Sequence, residues 1–285
     1  MKIVLTGSSG FVGNYFIAHY ADKYDISTFS FMKDELSDLD LSNTDAIIHL
    51  SALVHQMGGA QTEEYHRVNV ENTLNLAQKA KENSIRHFIF MSSVKVYGEE
   101  TNVPYTEKSE CKPQDEYGKS KLVAEQKLMQ LEDENFTVSI IRTPIVYGYG
   151  VKANIKNLIS LVKKVPVLPF GKINNNRSMV YIGNLCHLIA IILDKQRNGV
   201  FLASDDKPLS TTGLIELIAY ELDKNTTLLK IPFFETFLKQ VKPSFHKRLY
   251  ESLEVDNSQT KETLNFKNPF STKEGVNLMI NGENT

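Results

Sequence analysis

The chain has 285 residues and a mass of 32.3 kDa, enough for one large domain or two closely joined ones with a sizeable buried core. Its 41% hydrophobic and 23% charged residues are typical of a soluble globular protein and do not indicate disorder. A formal net charge of −2, with the lysines spread along the chain, argues against a nucleic-acid partner.

Cysteine spacing and the length of the apolar segments indicate the cellular location of the protein. Cys111 and Cys186 form no metal-type or CxxC pattern, which fits a reducing compartment and gives no reason to expect a metal site. The apolar run at residues 1–7 is too short for a secretory signal, and no segment approaches the ~20 apolar residues of a membrane span. We therefore expect a cytoplasmic protein without a membrane partner.

The first predicted element is a buried strand over residues 2–6, followed at once by a glycine-rich turn and an amphipathic helix. Glycine in such a turn allows a tight bend, lets the backbone approach a pyrophosphate and lets the helix pack closely on the strand, while the helix N-terminus offers free amides to the anion. A glycine trio can also be an ordinary turn, but its place after the first strand favours dinucleotide binding. The predicted cofactor contacts here are Gly7, Gly10, Phe11, Val12 and Gly13.

The second predicted strand, residues 25–31, bears on the choice of cofactor. In dinucleotide-binding folds an Asp or Glu at the end of this strand accepts hydrogen bonds from the adenosine ribose and repels a 2′-phosphate. This chain has Ser30 there and Lys33 just beyond, so NADP(H) is at least as plausible as NAD(H). Both residues could equally be loop residues without contact to a cofactor.

Residues 45–51 are predicted to form a third core strand. Its end should place Leu50, Ser51 and Ala52 beside the cofactor phosphates or ribose. His49 lies inside the apolar run and has no metal-spaced partner, so we interpret it as a packed core residue rather than a catalytic one.

A long crossover helix is predicted next, over residues 63–83, with Asn69 as a buried polar residue in the cofactor region. Residues 86–93 form the following strand. Alternating strands and helices imply a parallel sheet that binds ligands at the carboxyl ends of its strands. Ser92 and Ser93 lie at such an end, so both are candidate site residues.

Tyr117 and Lys121 lie four residues apart in a predicted helix over residues 116–134, so both should share one helical face. A free phenol has a pKa of about 10, but a fixed ammonium nearby favours the phenolate and brings that pKa closer to neutrality. Ser93 offers a hydroxyl that can bond a substrate oxygen while Tyr117 gives or takes its proton. A Tyr and Lys pair can also merely decorate a helix, but here the three residues are interpreted as a catalytic proton-transfer site.

The regularity weakens after a strand over residues 137–142, which precedes Pro144. Beyond it the pattern predicts helices at 154–165, 184–195, 211–223, 233–241 and 271–280, strands at 179–182 and 200–203, and a loop at 166–176.

These elements predict an α/β fold: a Rossmann-type doubly wound parallel sheet with a smaller C-terminal substrate-binding domain. Residues 1–147 should form the cofactor domain, with 178–203 packing back on it, and residues 148–177 and 204–285 the smaller domain. In that smaller domain Arg177 and Arg248 either bind a substrate diphosphate or lie at the surface.

Several motifs taken together resemble the extended short-chain dehydrogenase/reductase family, in its NAD-dependent nucleotide-sugar epimerase/dehydratase/reductase branch. They span most of the chain in the order typical of that family. The motifs are Thr6-Gly7-x-x-Gly10-x-x-Gly13, Asn69-x-x-Asn72-Thr73, Ser92-Ser93-x-x-Val96-Tyr97-Gly98, Tyr117-x-x-x-Lys121, Arg142-x-Pro144-x-x-Tyr147-Gly148 and Arg177-Ser178.

The resemblance implies roles for these residues and a UDP-sugar substrate. Tyr117 becomes the general acid/base, Lys121 holds the nicotinamide ribose and tunes Tyr117, and Ser93 bonds the sugar oxygen. It also implies a homodimer built on the helices that start near Glu63 and Glu116. The cofactor contacts implied beyond the glycine loop are Asn69, Ser92, Tyr117, Lys121 and Pro144, and the substrate contacts are Lys95, Asn154, Arg177 and Arg248.

Departures from the family pattern narrow the expected reaction. Dehydratases of the family carry an acidic pair just after the serine position, where this chain has Val94 and Lys95, and a valine cannot move a proton. We therefore expect no dehydratase activity. A 4-epimerase and a 4-ketoreductase share nearly the same site, since both move hydride at sugar C4 while the tyrosine handles the proton.

Two features favour reduction in the sequence. The second strand lacks the acid that favours NAD, and segments 52–57, 93–95 and 151–154 look similar to reductases of UDP-4-keto-6-deoxy-N-acetylhexosamines, which serve capsule and O-antigen synthesis. The expected function is therefore such a 4-reductase. The alternatives are a UDP-glucose or UDP-N-acetylglucosamine 4-epimerase and a non-catalytic NAD(P)-sensing protein.

Overall fold

The computed structural model describes residues 1–54 and 61–282. Its strands are β1 Lys2–Thr6, β2 Asp25–Phe29, β3 Ala46–His49, β4 His87–Ser93, β5 Thr137–Thr143, β6 Ile145–Tyr147, β7 Val167–Leu168, β8 Met179–Tyr181, β9 Gly199–Leu202 and β10 Thr227–Leu228. Six of these form one parallel sheet in the order β2-β1-β3-β4-β5-β9. Their carboxyl ends therefore share one edge, and the predicted α/β fold class is confirmed.

Helices cover both faces of this sheet and build the region beyond it. Within the described residues no helix combines the length and the apolar composition that a bilayer crossing requires. The helices are α1 Phe11–Tyr20, α2 Thr62–His66, α3 Asn72–Glu82, α4 Glu116–Leu131, α5 Ala153–Lys164, α6 Ile182–Lys195, α7 Thr211–Glu221, α8 Phe234–Val241, α9 Pro243–Tyr250, α10 Ser258–Leu264 and α11 Thr272–Asn281.

The core is divided by the sheet into two layers, because successive side chains of a strand point to opposite faces. In β1, Ile3 and Leu5 pack with α1 and α6 on one face. Val4, between them, packs with α3 and α4 on the other. The central strands are apolar on both faces, as strands of a buried parallel sheet must be, and this explains why they were readable from the sequence.

The chain beyond residue 147 differs more from the predicted elements. The loop expected over 166–176 contains β7, which pairs with β10, and the helices α9 and α10 were not predicted. A two-residue strand has no periodicity to detect, and its partner lies far away in the sequence. Near the N-terminus, β2 ends at Phe29, two residues earlier than predicted.

A buried carboxylate joins the central sheet region to the C-terminal elements. Asp205 accepts hydrogen bonds from the Tyr147 hydroxyl at 2.5 Å, the Tyr181 amide at 3.0 Å and Asn184 Nδ2 at 2.8 Å. These donors belong to β6, β8 and α6. β9 lies within residues 178–203, the segment expected to pack back on the cofactor domain, and it pairs with β5 of the main sheet. The division into two domains stays a prediction.

His49 is a packed core residue, as interpreted from the sequence. It is 1% exposed, its Nδ1 is hydrogen-bonded to Thr6 Oγ1 at 2.7 Å, and its Nε2 to Thr73 Oγ1 at 2.9 Å. Burial lowers its pKa to about 3, and burial likewise lowers the pKa of His87 to about 4, both from 6.5. Both imidazoles are therefore neutral in the folded protein at neutral pH.

These histidines should make the fold sensitive to acid. The unfolded chain protonates them near pH 6.5 while the folded chain does not, so stability is complete above about pH 6.5 and is lost as the pH falls towards 4. We expect the free energy of unfolding, measured with urea, to decrease from about pH 7 to about pH 5. His49→Gln should reduce that slope by about one proton, or ~1.4 kcal/mol per pH unit. An unaltered slope in His49→Gln would contradict this account.

Candidate active site

The glycine loop after β1 leaves room for an anion next to the backbone. Gly7 has φ +72°, and its carbonyl accepts a hydrogen bond from the Gly10 amide at 2.9 Å. A Cβ on Gly13 would lie 2.3 Å from that carbonyl oxygen, and a Cβ on Gly7 would lie 2.8 Å from the Ser51 amide nitrogen. Side chains at these positions would therefore clash with backbone, and the cradle requires glycine.

The N-terminus of α1 completes this cradle. The helix begins after Gly10, and among the described residues no side chain caps its first amides. Such amides form an anion site together with the helix dipole. Phe11 and Val12 open the helix and are partly buried against the core. The loop therefore suits the pyrophosphate of a dinucleotide. The individual contacts of Gly7, Gly10, Phe11, Val12 and Gly13 stay predictions.

The chain after β3 lies beside the glycine loop. The Leu50 amide donates to the Thr6 carbonyl at 3.3 Å, and the Ser51 amide donates to Thr6 Oγ1 at 3.2 Å. Leu50, Ser51 and Ala52 are half-buried at this edge, where cofactor contacts were predicted. In the segment 52–57 that was compared with reductases, residues 55–57 lie outside the described residues.

A tight turn at the end of β2 brings a carboxylate back to the strand end. The Ser30 amide donates to Asp34 Oδ2 at 2.9 Å, and the Ser30 carbonyl accepts from the Lys33 amide at 2.9 Å. The Lys33 side chain is exposed. The end of β2 therefore carries a carboxylate, that of Asp34, although the strand itself has no acidic residue at its end.

Ser93, Tyr117 and Lys121 come together at the end of β4. Ser93 is the last residue of the strand, and its hydroxyl accepts from the Lys95 amide at 3.3 Å and donates to the Thr143 carbonyl at 3.5 Å. It also lies close enough to Tyr117, in the first turn of α4, to lower the pKa of that phenol. Lys121 follows one helical turn later and is only 2% exposed. Its Nζ donates to the Met91 carbonyl at 2.7 Å and lies 4.3 Å from the centre of the Phe90 ring.

Burial controls the electrostatics of these groups. It lowers the pKa of Lys121 to about 7, against the opposing effect of Glu125. It raises the pKa of Tyr117 to about 12, although the hydrogen bond to Ser93 lowers it. Burial therefore raises the pKa of Tyr117 where the sequence predicted a lower one, and Asp115 and Tyr65 raise it further. Tyr117 is therefore a protonated hydroxyl at neutral pH.

Asn69 lies in the helical segment between α2 and α3 and links the chain after β3 to α4 by hydrogen bonds. Its Oδ1 accepts from the Leu53 amide at 2.8 Å, and its Nδ2 donates to the Leu53 carbonyl and to Ser120 Oγ, both at 3.0 Å. Ser120 in turn donates to the Tyr117 carbonyl at 2.8 Å. Asn69 is fully buried and links these two segments, while its contact with the cofactor stays a prediction.

The segment around Asn69 has an unusual helical form. Residues Arg67–Glu71 form a π-helix that joins α2 to α3, within the single helix predicted over 63–83. Such bulges re-aim backbone and side chains, and they are frequent at functional sites.

Ser92 faces away from the predicted cofactor position. Its hydroxyl donates to the buried Glu125, and its carbonyl accepts from Thr143 Oγ1 at 3.0 Å. A contact of Ser92 with the cofactor stays a prediction. Pro144 follows Thr143 and is buried at the carboxyl end of β5, on the edge where its contact was predicted.

The ammonium of Lys95 is paired with two carboxylates. Its Nζ donates to Glu99 at 2.7 Å and to Asp115, which also caps α4 by accepting from the Gly118 amide at 2.7 Å. Hydrogen bonds to these carboxylates raise the pKa of Lys95 although burial opposes them. Lys95 therefore fixes the loop before α4 against its first turn, and a contact with substrate stays a prediction.

The three remaining predicted substrate residues converge on one pocket of about 400 Å³. Asn154 comes from the first turn of α5, Arg177 from the segment before β8 and Arg248 from α9. The other lining residues include Ile145, Phe170, Leu214, Phe245 and Leu249. The pocket is therefore an apolar cavity that contains two guanidinium groups.

Arg177 and Arg248 interact as like charges. Burial lowers the pKa of Arg177, Arg248 lowers it further, and Glu99 opposes both. Arg177 Nη1 donates to the Glu251 carbonyl at 3.0 Å, which fixes its direction. Two cations held together in an apolar wall are suited to a ligand with two negative charges, such as a diphosphate.

Two residues of this site were missed in the sequence although signals for them existed. Asp115 directly precedes the α4 pattern, which is the typical position of a helix cap. Glu125 lies four residues after Lys121 on the same helical face, so its burial beside Lys121 follows from helical spacing.

Comparisons with known proteins show the family of the chain. The model of the NAD dependent epimerase/dehydratase family matches residues 3–202. A UDP-glucose 4-epimerase from Vibrio cholerae is 39% identical over 304 residues, covering 96% of this chain and 93% of the relative. A UDP-2-acetamido-2,6-beta-L-arabino-hexul-4-ose reductase from Pseudomonas aeruginosa is 26% identical over 235 residues, covering 78% of this chain and 57% of the relative.

A solved structure shares the fold over almost the whole chain. It is UDP-glucuronic acid 4-epimerase from Bacillus cereus in complex with NAD, with a TM-score of 0.80, 20% sequence identity, and coverage of 99% of this chain and 98% of that one. The predicted resemblance, the nicotinamide cofactor and the assignment as an enzyme are thereby confirmed. The chain belongs to the NAD dependent epimerase/dehydratase family.

Proposed function

We propose that the protein is a UDP-hexose 4-epimerase. The observation that carries this proposal is the meeting of Ser93, Tyr117 and Lys121 beside the glycine cradle, in a chain that is 39% identical to a UDP-glucose 4-epimerase over nearly its full length. The site supplies a proton carrier and a place for a nicotinamide cofactor, which together are what exchange at a sugar carbinol requires.

Three side chains would have separate roles in the reaction at C4 of the sugar. The Tyr117 hydroxyl, protonated at neutral pH, exchanges a proton with the C4 oxygen, and the Ser93 hydroxyl bonds the same oxygen. Lys121 would turn from the Met91 carbonyl to hold the nicotinamide ribose. When bound, the nicotinamide ring supplies hydride exchange at C4. Exclusion of water by the buried surroundings strengthens each of these hydrogen bonds.

The substrate would be held by its diphosphate. Arg177 and Arg248 supply two positive charges in the pocket, and Asn154 adds a polar side chain at its edge. Val94 is buried and Lys95 is bound to two carboxylates, so neither can serve as the acid or base of a dehydratase. The retained Tyr117 and Lys121 likewise favour turnover over cofactor sensing.

Reduction of a UDP-4-keto-6-deoxy-N-acetylhexosamine, for capsule or O-antigen synthesis, is the second candidate. Ser30 occupies the position at the end of β2 where an acid favours NAD, and the 26% identical relative is a 4-ketose reductase. Asp34 weakens this argument because it returns a carboxylate to the same strand end.

We also propose a homodimer formed through α3 and α4, for which size measurement in solution is the test.

The two candidates differ in what happens to the cofactor. Purified protein with UDP-galactose and NAD should yield UDP-glucose without net change in nicotinamide absorbance. Protein with a UDP-4-keto-6-deoxy sugar and NADPH or NADH should yield no reduced sugar. Stoichiometric oxidation of the cofactor in the second assay, with no epimerised product in the first, would replace epimerisation by reduction.

Tyr117→Phe should remove the proton carrier and preserve cofactor binding. We expect kcat to fall by about 10²–10⁴-fold, the typical contribution of a general acid/base, while the Kd for NAD changes little. Tyr220→Phe makes the same chemical change at an exposed position of α7 and should leave kcat unaltered. Unchanged turnover in Tyr117→Phe would reject its assigned role.

Arg248→Gln should weaken binding of the diphosphate. Hydrogen bonds to charged groups contribute about 1.5–3 kcal/mol, so the Kd for UDP measured by calorimetry should rise by about 10–100-fold. The KM for UDP-galactose should rise with it, while kcat changes little. Arg86→Gln alters an exposed arginine before β4 and is the matched control. An unchanged Kd for UDP in Arg248→Gln would place the diphosphate elsewhere.

A further inference from the structure

A buried ion pair lies directly behind the catalytic residues and has no part in the scheme above. Glu125 on α4 is 1% exposed, and its partner Arg142 on β5 is 6% exposed. Arg142 Nη2 donates to Glu125 Oε2 at 2.6 Å, and Nε lies 3.1 Å from Oε1. The guanidinium also lies 4.6 Å from the centre of the Tyr97 ring. Arg142 is thus held both by the carboxylate and by an aromatic face.

The same carboxylate ties the end of β4 to α4. Ser92 donates its hydroxyl to Glu125, and Ser92 is the register partner of Arg142 across the β4–β5 pair. Ser93 is the next residue and meets Tyr117 of the same helix. Anchoring Ser92 therefore fixes the strand end from which Ser93 approaches Tyr117.

Glu125 also provides the negative charge nearest in sequence to Lys121 on their shared helical face. The groups around Lys121 are the Met91 carbonyl and the Phe90 ring on β4, His49 on β3 and Glu125 on α4. His49 is neutral, so it cannot offset the positive charge. Glu125 raises the pKa of Lys121 while burial lowers it.

Stability alone does not explain such a pair. The cost of desolvating two charges offsets most of their attraction, so a buried ion pair contributes little net stability compared with apolar packing. The placement of the pair, one turn after Lys121 and bonded to the neighbour of Ser93, is what relates it to the reaction.

We propose that Glu125 is a positioning residue for the site: through Ser92 it fixes the end of β4 that carries Ser93, and from one helical turn beyond Lys121 it places a buried carboxylate on the same face of α4. The inference rests on the proposed function for the roles of Tyr117 and Lys121. It does not depend on which sugar is the substrate. Arg142 supplies the counter-charge of this carboxylate in the interior.

Glu125→Gln tests the charge while keeping the size of the side chain. The ammonium of Lys121 can be titrated by 13C NMR of labelled lysine Cε, with its resonance assigned by Lys121→Met. We expect its pKa to fall by roughly one unit in Glu125→Gln, because an opposite charge within reach typically shifts a pKa by that order. Lys121 then loses its proton at lower pH, so the alkaline limb of kcat/KM for UDP-galactose should move to lower pH by a similar amount.

Ser92→Ala tests the anchor without changing the charge. It should lower kcat by about tenfold or more, since small misplacements of reacting groups are costly, and it should leave the Lys121 titration in place. Glu216→Gln, the same change at an exposed position of α7, should alter neither quantity. If Glu125→Gln does not fold, Glu125→Gln/Arg142→Gln removes both buried charges and serves instead.

An unmoved Lys121 titration and an unmoved pH limb in these Glu125 variants would overturn the proposal. A loss of thermal stability without either shift would likewise show a purely structural pair. If the unaltered protein converts neither UDP-galactose nor a UDP-4-keto-6-deoxy sugar, the proposed function fails, and the NMR titration still decides the role of Glu125.

Discussion

Desolvation at the carboxyl edge of the sheet is the physical constraint on which this site depends. It favours the neutral form of every group held there, so it lowers the pKa of Lys121 to about 7 and that of His49 to about 3, and raises that of Tyr117 to about 12. At neutral pH Tyr117 is therefore a protonated phenol, and Lys121 is only partly protonated. The site therefore needs nearby charges to restore the ammonium, and Glu125 is the carboxylate placed to do so.

Buried polar groups also explain how the site keeps its shape. His49 joins Thr6 to Thr73, Thr73 donates to the Asn69 carbonyl at 2.9 Å, and Asn69 reaches Ser120 on α4. This chain of hydrogen bonds runs from the glycine loop to the helix of Tyr117. A satisfied buried network of this kind specifies one arrangement, since any rearrangement leaves polar groups unpaired in the interior. The cofactor cradle and the proton carrier are therefore fixed relative to one another.

Local patterns in the sequence predicted the parts of the structure that depend on local physics. The strands of the sheet, the glycine loop and the Tyr117–Lys121 spacing were readable because burial on both faces, close backbone approach and helical periodicity leave marks on neighbouring residues. The partners of Asn69, Ser92 and Lys95 were not readable. Most of these partners lie far away in the sequence, so no local pattern predicts them, as for Asn69 with Ser120 and Ser92 with Glu125.

Whether the protein works as an epimerase or as a reductase depends on how tightly it retains the cofactor, because an epimerase needs the same cofactor molecule for both half-reactions. The glycine cradle and Lys121 would serve a reductase equally well. The end of β2 is where the two cases diverge. Ser30 alone would admit the 2′-phosphate of NADP(H). However, the Ser30 amide is hydrogen-bonded to Asp34, and the negative charge of Asp34 repels a phosphate nearby. This local charge favours NAD, and a retained NAD is consistent with epimerisation.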